Sequence, residues 1–137
     1  MSNRYKNTVK KMFELAAGRR IVLWVSDELS LYIYDDFYEL GINVEYFVSD
    51  QVFENKIKDK EVKMYLDLLY EDQKSIFVVA FAFIDHGKIY RMLTDLGYQY
   101  KEDFYIGATE GYFQDYDVID SLLGYNRYYA CVGGGMS

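Results

Sequence analysis

The sequence predicts an α/β fold, a mostly parallel sheet with helices on both faces, and two observations carry that expectation. Short apolar runs at residues 21–25, 42–48 and 76–83 alternate with stretches whose apolar residues recur every three or four positions. The first and third runs are apolar without alternation, as strands buried on both faces should be. Strands separated by helices pair in parallel, and right-handed crossovers follow.

Each element has its own signal. Tyr5, Val9, Met12, Phe13 and Ala16 recur at helical spacing, and Gly18 suits the left-handed residue that closes a helix. This leading helix (residues 1–17) is expected to pack beside the sheet. Strand 1 spans 21–25. The helix after it carries Leu29, Ile33, Phe37 and Leu40 on one stripe and ends at Gly41. Ser26 or Asp27 is well typed to cap it, and Asp27 and Glu28 suit the positive end of its dipole. Strand 2 (42–48) runs into Ser49 and Asp50.

Residues 51–61 (QVFENKIKDKE) are polar and ambiguous, whereas Val62, Tyr65, Leu66 and Leu69 read as a further helix stripe closed by a polar turn at 71–75. Strand 3 (76–83) is the strongest strand signal. Asp85-His86-Gly87 then opens a helix bearing Ile89, Met92, Leu93 and Leu96, which stops at Gly97. One more strand is expected around 104–106. From Gly111 onward the chain turns aromatic and acidic, and 128–132 looks like a strand before Gly133-Gly134-Gly135-Met136-Ser137.

Strand–turn–helix–strand over 21–50 is the frame of a dinucleotide-binding half, so the expected architecture is three-layer and Rossmann-like. Laid on the G-x-G-x-x-G pattern, the glycine places fall at Val25, Asp27 and Ser30. A β-branched side chain, a carboxylate and a hydroxyl stand where a pyrophosphate needs bare backbone. The frame argues for a nucleotide or dinucleotide as ligand, and the residues argue against one.

Composition narrows the function classes. The chain has 137 residues, is 51% hydrophobic and 27% charged, and carries a net charge of −7. One domain with a sizeable core is expected, and a polyanion such as nucleic acid is a poor partner. No apolar run reaches the roughly 18 residues of a membrane helix, so no membrane insertion and a cytoplasmic location are expected. One cysteine and one histidine exclude an internal disulfide and the common Cys/His zinc sites, so no metal is expected. Cys131 reads as a small apolar strand residue. The 16 tyrosines are spread through every element and read as half-buried positions.

In open α/β sheets, ligands bind beyond the carboxyl ends of the strands. The candidates there are Ser26, Asp27 and Ser30 around the first loop, Ser49 and Asp50 after strand 2, and Asp85 and His86 after strand 3. An acid after strand 2 holds the ribose hydroxyls of a dinucleotide, which is the role Asp50 or Ser49 would take. Asp27 would repel an anionic ligand and tolerate a neutral or cationic one. The simpler reading has Asp27 capping its helix. His86 has the ordinary chemistry of a general acid or base, but Asp85-His86 more simply starts a helix, with Asp85 as N-cap. Ser137 follows a strand and glycines as a nucleophile would. The helix and partner residues such a serine needs do not follow it.

GRRIVLWVSDELS, EYFVSD, MYLDLLYEDQKSIFVVAFAF and IYRMLTDLGYQYKEDFY, in that order, resemble the small Rossmann-like N-terminal domains of bacterial surface-polysaccharide and glycan-biosynthesis proteins. IDSLLGYNR is similar to the linker after which some of those proteins begin a catalytic domain. The resemblance covers about residues 18–127. It implies a catalytic domain C-terminal to this chain as partner. The expected plan is therefore a Rossmann-like domain at 1–127 and, at 128–137, a strand and glycine-rich tail that start a further domain or fray. The functional expectation is a non-catalytic accessory or regulatory domain with a degenerate nucleotide site and no catalytic residue. The alternatives are a working nucleotide or nucleotide-sugar binder and a homo-oligomeric (homodimeric) interaction module.

Overall fold

The structure is a computed structural model. It describes residues 6–26, 28–52, 54–82, 86–110 and 114–116. The elements in chain order are α1 (Lys6–Ala16), β1 (Arg20–Trp24), α2 (Glu28–Glu39), β2 (Val44–Ser49), β3 (Lys56–Ile57), β4 (Lys60–Met64), a 3₁₀ segment (Tyr65–Tyr70), β5 (Ile76–Phe81), α3 (His86–Asp95), β6 (Phe104–Glu110) and β7 (Gln114–Tyr116). The expected strand at 128–132, the glycine tail with Cys131 and Ser137, and the segment from 117 to 127 lie outside the described residues.

One seven-stranded sheet runs in the order β3-β4-β2-β1-β5-β6-β7. Strands β4, β2, β1, β5 and β6 are parallel neighbours, and β3 and β7 close the two edges in antiparallel fashion. The α/β class and the mostly parallel sheet are therefore as the sequence pattern predicts. β1 is central and apolar on both sides, and the alternating sides of its pleat feed two core clusters. Ile21 and Leu23 join Phe77, Val79 and Phe81 of β5 with Val9, Met12, Ile33 and Phe37 of α1 and α2. Val22 and Trp24 join Val78 and Ala80 with Ile89 and Leu93 of α3 and Leu68 of the 3₁₀ segment.

Helix α1 is in contact with β5 and β6. Its buried arc runs through Thr8, Val9, Met12 and Ala16 and stops short of Phe13, which is half exposed. The helix ends through Ala17 and Gly18, both with positive φ. The Arg19 guanidinium then donates to the carbonyls of Leu15, Ala16 and Glu102, satisfying acceptors at the helix end.

The expected helix over Val62–Leu69 is not there. Val62 belongs to β4, opposite Phe47 of β2, and Tyr65–Tyr70 form the 3₁₀ segment. Residues buried three apart suit either helix type, which is how the spacing misleads: Tyr65 tilts onto the Trp24 ring and Leu68 is buried, while Leu66 and Leu69 are exposed. The ambiguous stretch before it is a hairpin. Its turn residues Lys58 and Asp59 both take positive φ (50° and 65°), as the tight hairpin turn requires.

Gly107 of β6 allows α1 its close approach. A Cβ there would lie 2.5 Å from Thr8 Cγ2 and 3.2 Å from the Phe81 ring. Gly107→Ala is expected to destabilise the fold by about 1–3 kcal/mol through overpacking. Adding Thr8→Ser, which removes the opposing methyl, should recover part of the loss in thermal or urea unfolding.

Candidate functional site at the carboxyl edge of the sheet

Strand order reverses at β1, with β2 on one side and β5 on the other, so the crevice of such a sheet lies at the carboxyl end of β1. Trp24 stands opposite Val48 of β2 and Ala80 of β5. The Val25 amide continues the ladder by donating to the Val48 carbonyl at 2.8 Å. Extending that register by two places puts Ser26 between Asp50 and Ala82.

The Ser26 amide of the first loop is satisfied by a side chain of α2. The Ser26 N–H donates to Ser30 Oγ at 3.1 Å, and Ser30 Oγ makes a long 3.5 Å bond to the Phe81 carbonyl of β5. Ser30 is 0% exposed, seated where the glycine pattern asks for close packing of helix on strand. Its side chain is small enough for that approach, and its hydroxyl accepts from the Ser26 amide.

After β2, Ser49 Oγ accepts from the Gln51 amide at 3.4 Å. Asp50 does not offer its carboxylate freely, because Oδ2 lies 2.6 Å from Nζ of Lys88 in the first turn of α3. That ion pair joins the end of β2 to the helix that follows β5, spanning the end of the strand between them. Lys88 was not among the residues read as candidates. The available signal was its position, since a cation in the first turn of a helix faces the positive end of the dipole and calls for a partner.

The structure thus brings Ser26, Ser30, Ser49, Asp50 and His86 to one edge. Asp27 and Asp85 lie outside the described residues. Among the described residues Ser30 and Ser49 bond to backbone groups, and neither meets a base that would activate it. Ser26 Oγ, His86 Nδ1 and the indole Nε1 of Trp24 are buried and have no hydrogen-bond partner among the described residues. Among the described residues no group of acids, histidines and cysteines could hold a metal ion, and no helix is long and apolar enough to cross a membrane.

The groups with shifted pKa values sit at the opposite, amino edge. Arg20 reaches Glu71 at 3.2 Å and Glu45 at 3.3 Å, and the Tyr46 hydroxyl donates to Glu71. That hydroxyl, with Arg20 behind it, holds the Glu71 carboxyl below its ordinary range. Burial, reinforced by Glu71, raises Tyr46, and burial pushes Tyr98 up to about 12. The Tyr98 hydroxyl donates to the Leu68 carbonyl at 2.8 Å. A recess of about 260 Å³ opens at this edge too, lined by Phe13, Gly18, Arg20, Asn43 and Glu45 among others. Its Arg20 and Glu45 are paired with each other. The network ties β1, β2 and the lead-in to β5 together, and it is structural.

Compared with models of protein families, with curated proteins and with solved structures, the chain matches none.

Because the folded-state pKa of Glu71 is depressed, its contribution is present above the ordinary value of 4.5 and is lost as pH falls through the folded value. Tyr46, being raised, contributes fully below pH 10 and plays no part in acid unfolding. Glu71→Gln is therefore expected to lower stability near neutral pH by about 1–2 kcal/mol, discounted for the half-exposed Arg20. It should also flatten the acid limb in urea melts run from pH 7 downward.

Proposed function

We propose that this chain is a non-catalytic accessory or regulatory domain of three-layer, Rossmann-like architecture whose nucleotide site is degenerate. The observation that carries the reading is the first loop: the Val25 and Ser26 amides bond to the Val48 carbonyl and to Ser30 Oγ. In a working glycine loop such amides face the pyrophosphate at the helix N-terminus. The basic side chain beside them, Lys88, is neutralised by Asp50. A phosphate entering the crevice would have to break both arrangements.

Three layers are supported by the two core clusters, one joining β1 and β5 to α1 and α2 and the other joining them to α3. The sequence resemblance supports a setting in a glycan- or polysaccharide-related protein, with a catalytic domain C-terminal to this one as the docking partner. A thermal-shift panel of NAD, NADP, ATP, S-adenosylmethionine and nucleotide sugars tests the reading. A ligand at about 100 times its Kd stabilises a fold by about 2.7 kcal/mol, a rise of several degrees. No rise is expected with any of them, and a reproducible rise with one overturns the reading.

A second reading, a homo-oligomeric interaction module, is favoured by one observation. The crossover from β4 to β5 exposes Met64, Leu66, Leu69 and Tyr70 together, and Tyr70 is 89% exposed. Contiguous exposed apolar side chains mark interaction surfaces, and tyrosine is enriched at interface hot spots. A second copy covering this patch predicts a dimer in sedimentation velocity that Leu69→Glu converts to monomer. A native protein that stays monomeric at high concentration sinks this reading.

A further inference from the structure

We propose that the carboxyl-edge crevice binds a small uncharged molecule that presents a hydrogen-bond acceptor to Trp24 Nε1 and a polar group to Ser26 Oγ and His86 Nδ1. The inference rests on the degenerate phosphate loop and adds what the crevice takes in place of a nucleotide.

Trp24 is 1% exposed, yet its indole N–H has no partner among the described residues. Ser26 Oγ and His86 Nδ1 are also buried and unpartnered. Folded proteins satisfy nearly all buried polar groups, so several unpaired atoms around one crevice call for an explanation. Trp24 and Ser26 are two residues apart along the β1 line, so their side chains leave the same side of the sheet. That side is the one on which Ala80, Ala82, Ile89 and Leu93 pack. His86 and Lys88 open α3, which belongs to the same cluster through Ile89, and Lys88 reaches over to Asp50 at 2.6 Å. The topology thus places the residues that carry the indole, the hydroxyl and the imidazole at one end of the sheet, the end at which Lys88 and Asp50 also meet.

The chemistry of these groups limits the ligand. An indole N–H only donates, so the ligand must supply an acceptor such as a carbonyl or hydroxyl oxygen. A hydroxyl and an imidazole nitrogen adapt to either sense, which suits an amide or a sugar-like hydroxyl. Asp50 and Lys88 cancel one another, leaving neither a free cation for an anion nor a free carboxylate for a cation. The Val25 and Ser26 amides are occupied as well.

Trp24 is the only tryptophan of the chain, so its indole N–H gives a single resonance in a proton–nitrogen correlation spectrum and its fluorescence is read without interference. Nicotinamide, adenosine and N-acetylglucosamine serve as uncharged probes, with NADH, ATP and UDP-N-acetylglucosamine as their phosphate-bearing counterparts. At least one uncharged probe is expected to move the indole resonance saturably, and to bind about fivefold or more weakly to Ser26→Ala, the loss of one hydrogen bond. The Ser26→Ala spectrum itself shows whether that variant is folded. If no uncharged probe moves the resonance, the proposal is wrong and bound water satisfies these atoms. The degenerate-loop reading survives that result. An uncharged probe that binds folded Ser26→Ala as tightly as the native protein also refutes the site. A counterpart that binds more tightly than its uncharged fragment overturns both readings, because the phosphate is then being recognised.

Discussion

Strand β1 has a hydrogen-bonded neighbour on each edge and protein against each face, and this double enclosure constrains everything built after it. Its five residues Arg20–Trp24 are buried from Ile21 onward. Because β2 and β5 both run parallel to it, the chain must leave the carboxyl edge and return to the amino edge each time. The crevice at the end of β1 follows from that order of strands, before any ligand is considered. The route from β4 to β5 must pass β2 and β1 to reach the far side, and it does so with a 3₁₀ segment of six residues. A cover that short leaves apolar side chains facing outward, and the Arg20–Glu71–Tyr46 network anchors its far end.

Elements with a strong period and a clear stop were legible in the sequence. β1, β5 and α3 lie within a few residues of their expected bounds, and Gly41 and Gly97 take the positive φ that ends a helix (74° and 94°). The hairpin at β3 and β4 was not legible, for two physical reasons. Its turn places Lys58 and Asp59 in left-handed conformations that glycine or asparagine usually signals. In β4 only Val62 is buried, so no alternation announces a strand. The 3₁₀ segment was misread because burial every third residue satisfies a helical template equally well. Leu40 and Phe13 show the same limit on helices: a stripe drawn from sequence does not say which side of it meets a neighbour.

At the candidate site, positions were legible and hydrogen bonds were not. Ser30 stood out as a residue replacing a glycine, and the structure explains how it can. Its hydroxyl bonds at once to the amide before α2 and to a carbonyl of β5, closing the helix onto the sheet. Asp50 stood out as the acid after β2, but its partner comes from 38 residues further along the chain, at Lys88. No local pattern reveals a pairing that depends on β2 and α3 converging over the end of β1.

That ion pair is a weak source of stability, since Lys88 is half exposed and surface pairs are worth about 0–1 kcal/mol. Its consequence is electrostatic. Without Asp50, the Lys88 ammonium and the positive end of the α3 dipole would together favour an anion at the end of β1. With Asp50 in contact, the charge is matched where it stands, and the Val25 and Ser26 amides are already bonded. What remains unmatched is polar and uncharged: an indole N–H, a hydroxyl and an imidazole nitrogen. If this crevice descends from a nucleotide site as proposed, cancelling its charge would exchange one kind of selectivity for another. On the reading proposed above, such a crevice would give phosphate nothing to neutralise and would discriminate among uncharged molecules by which of them can accept a hydrogen bond from Trp24.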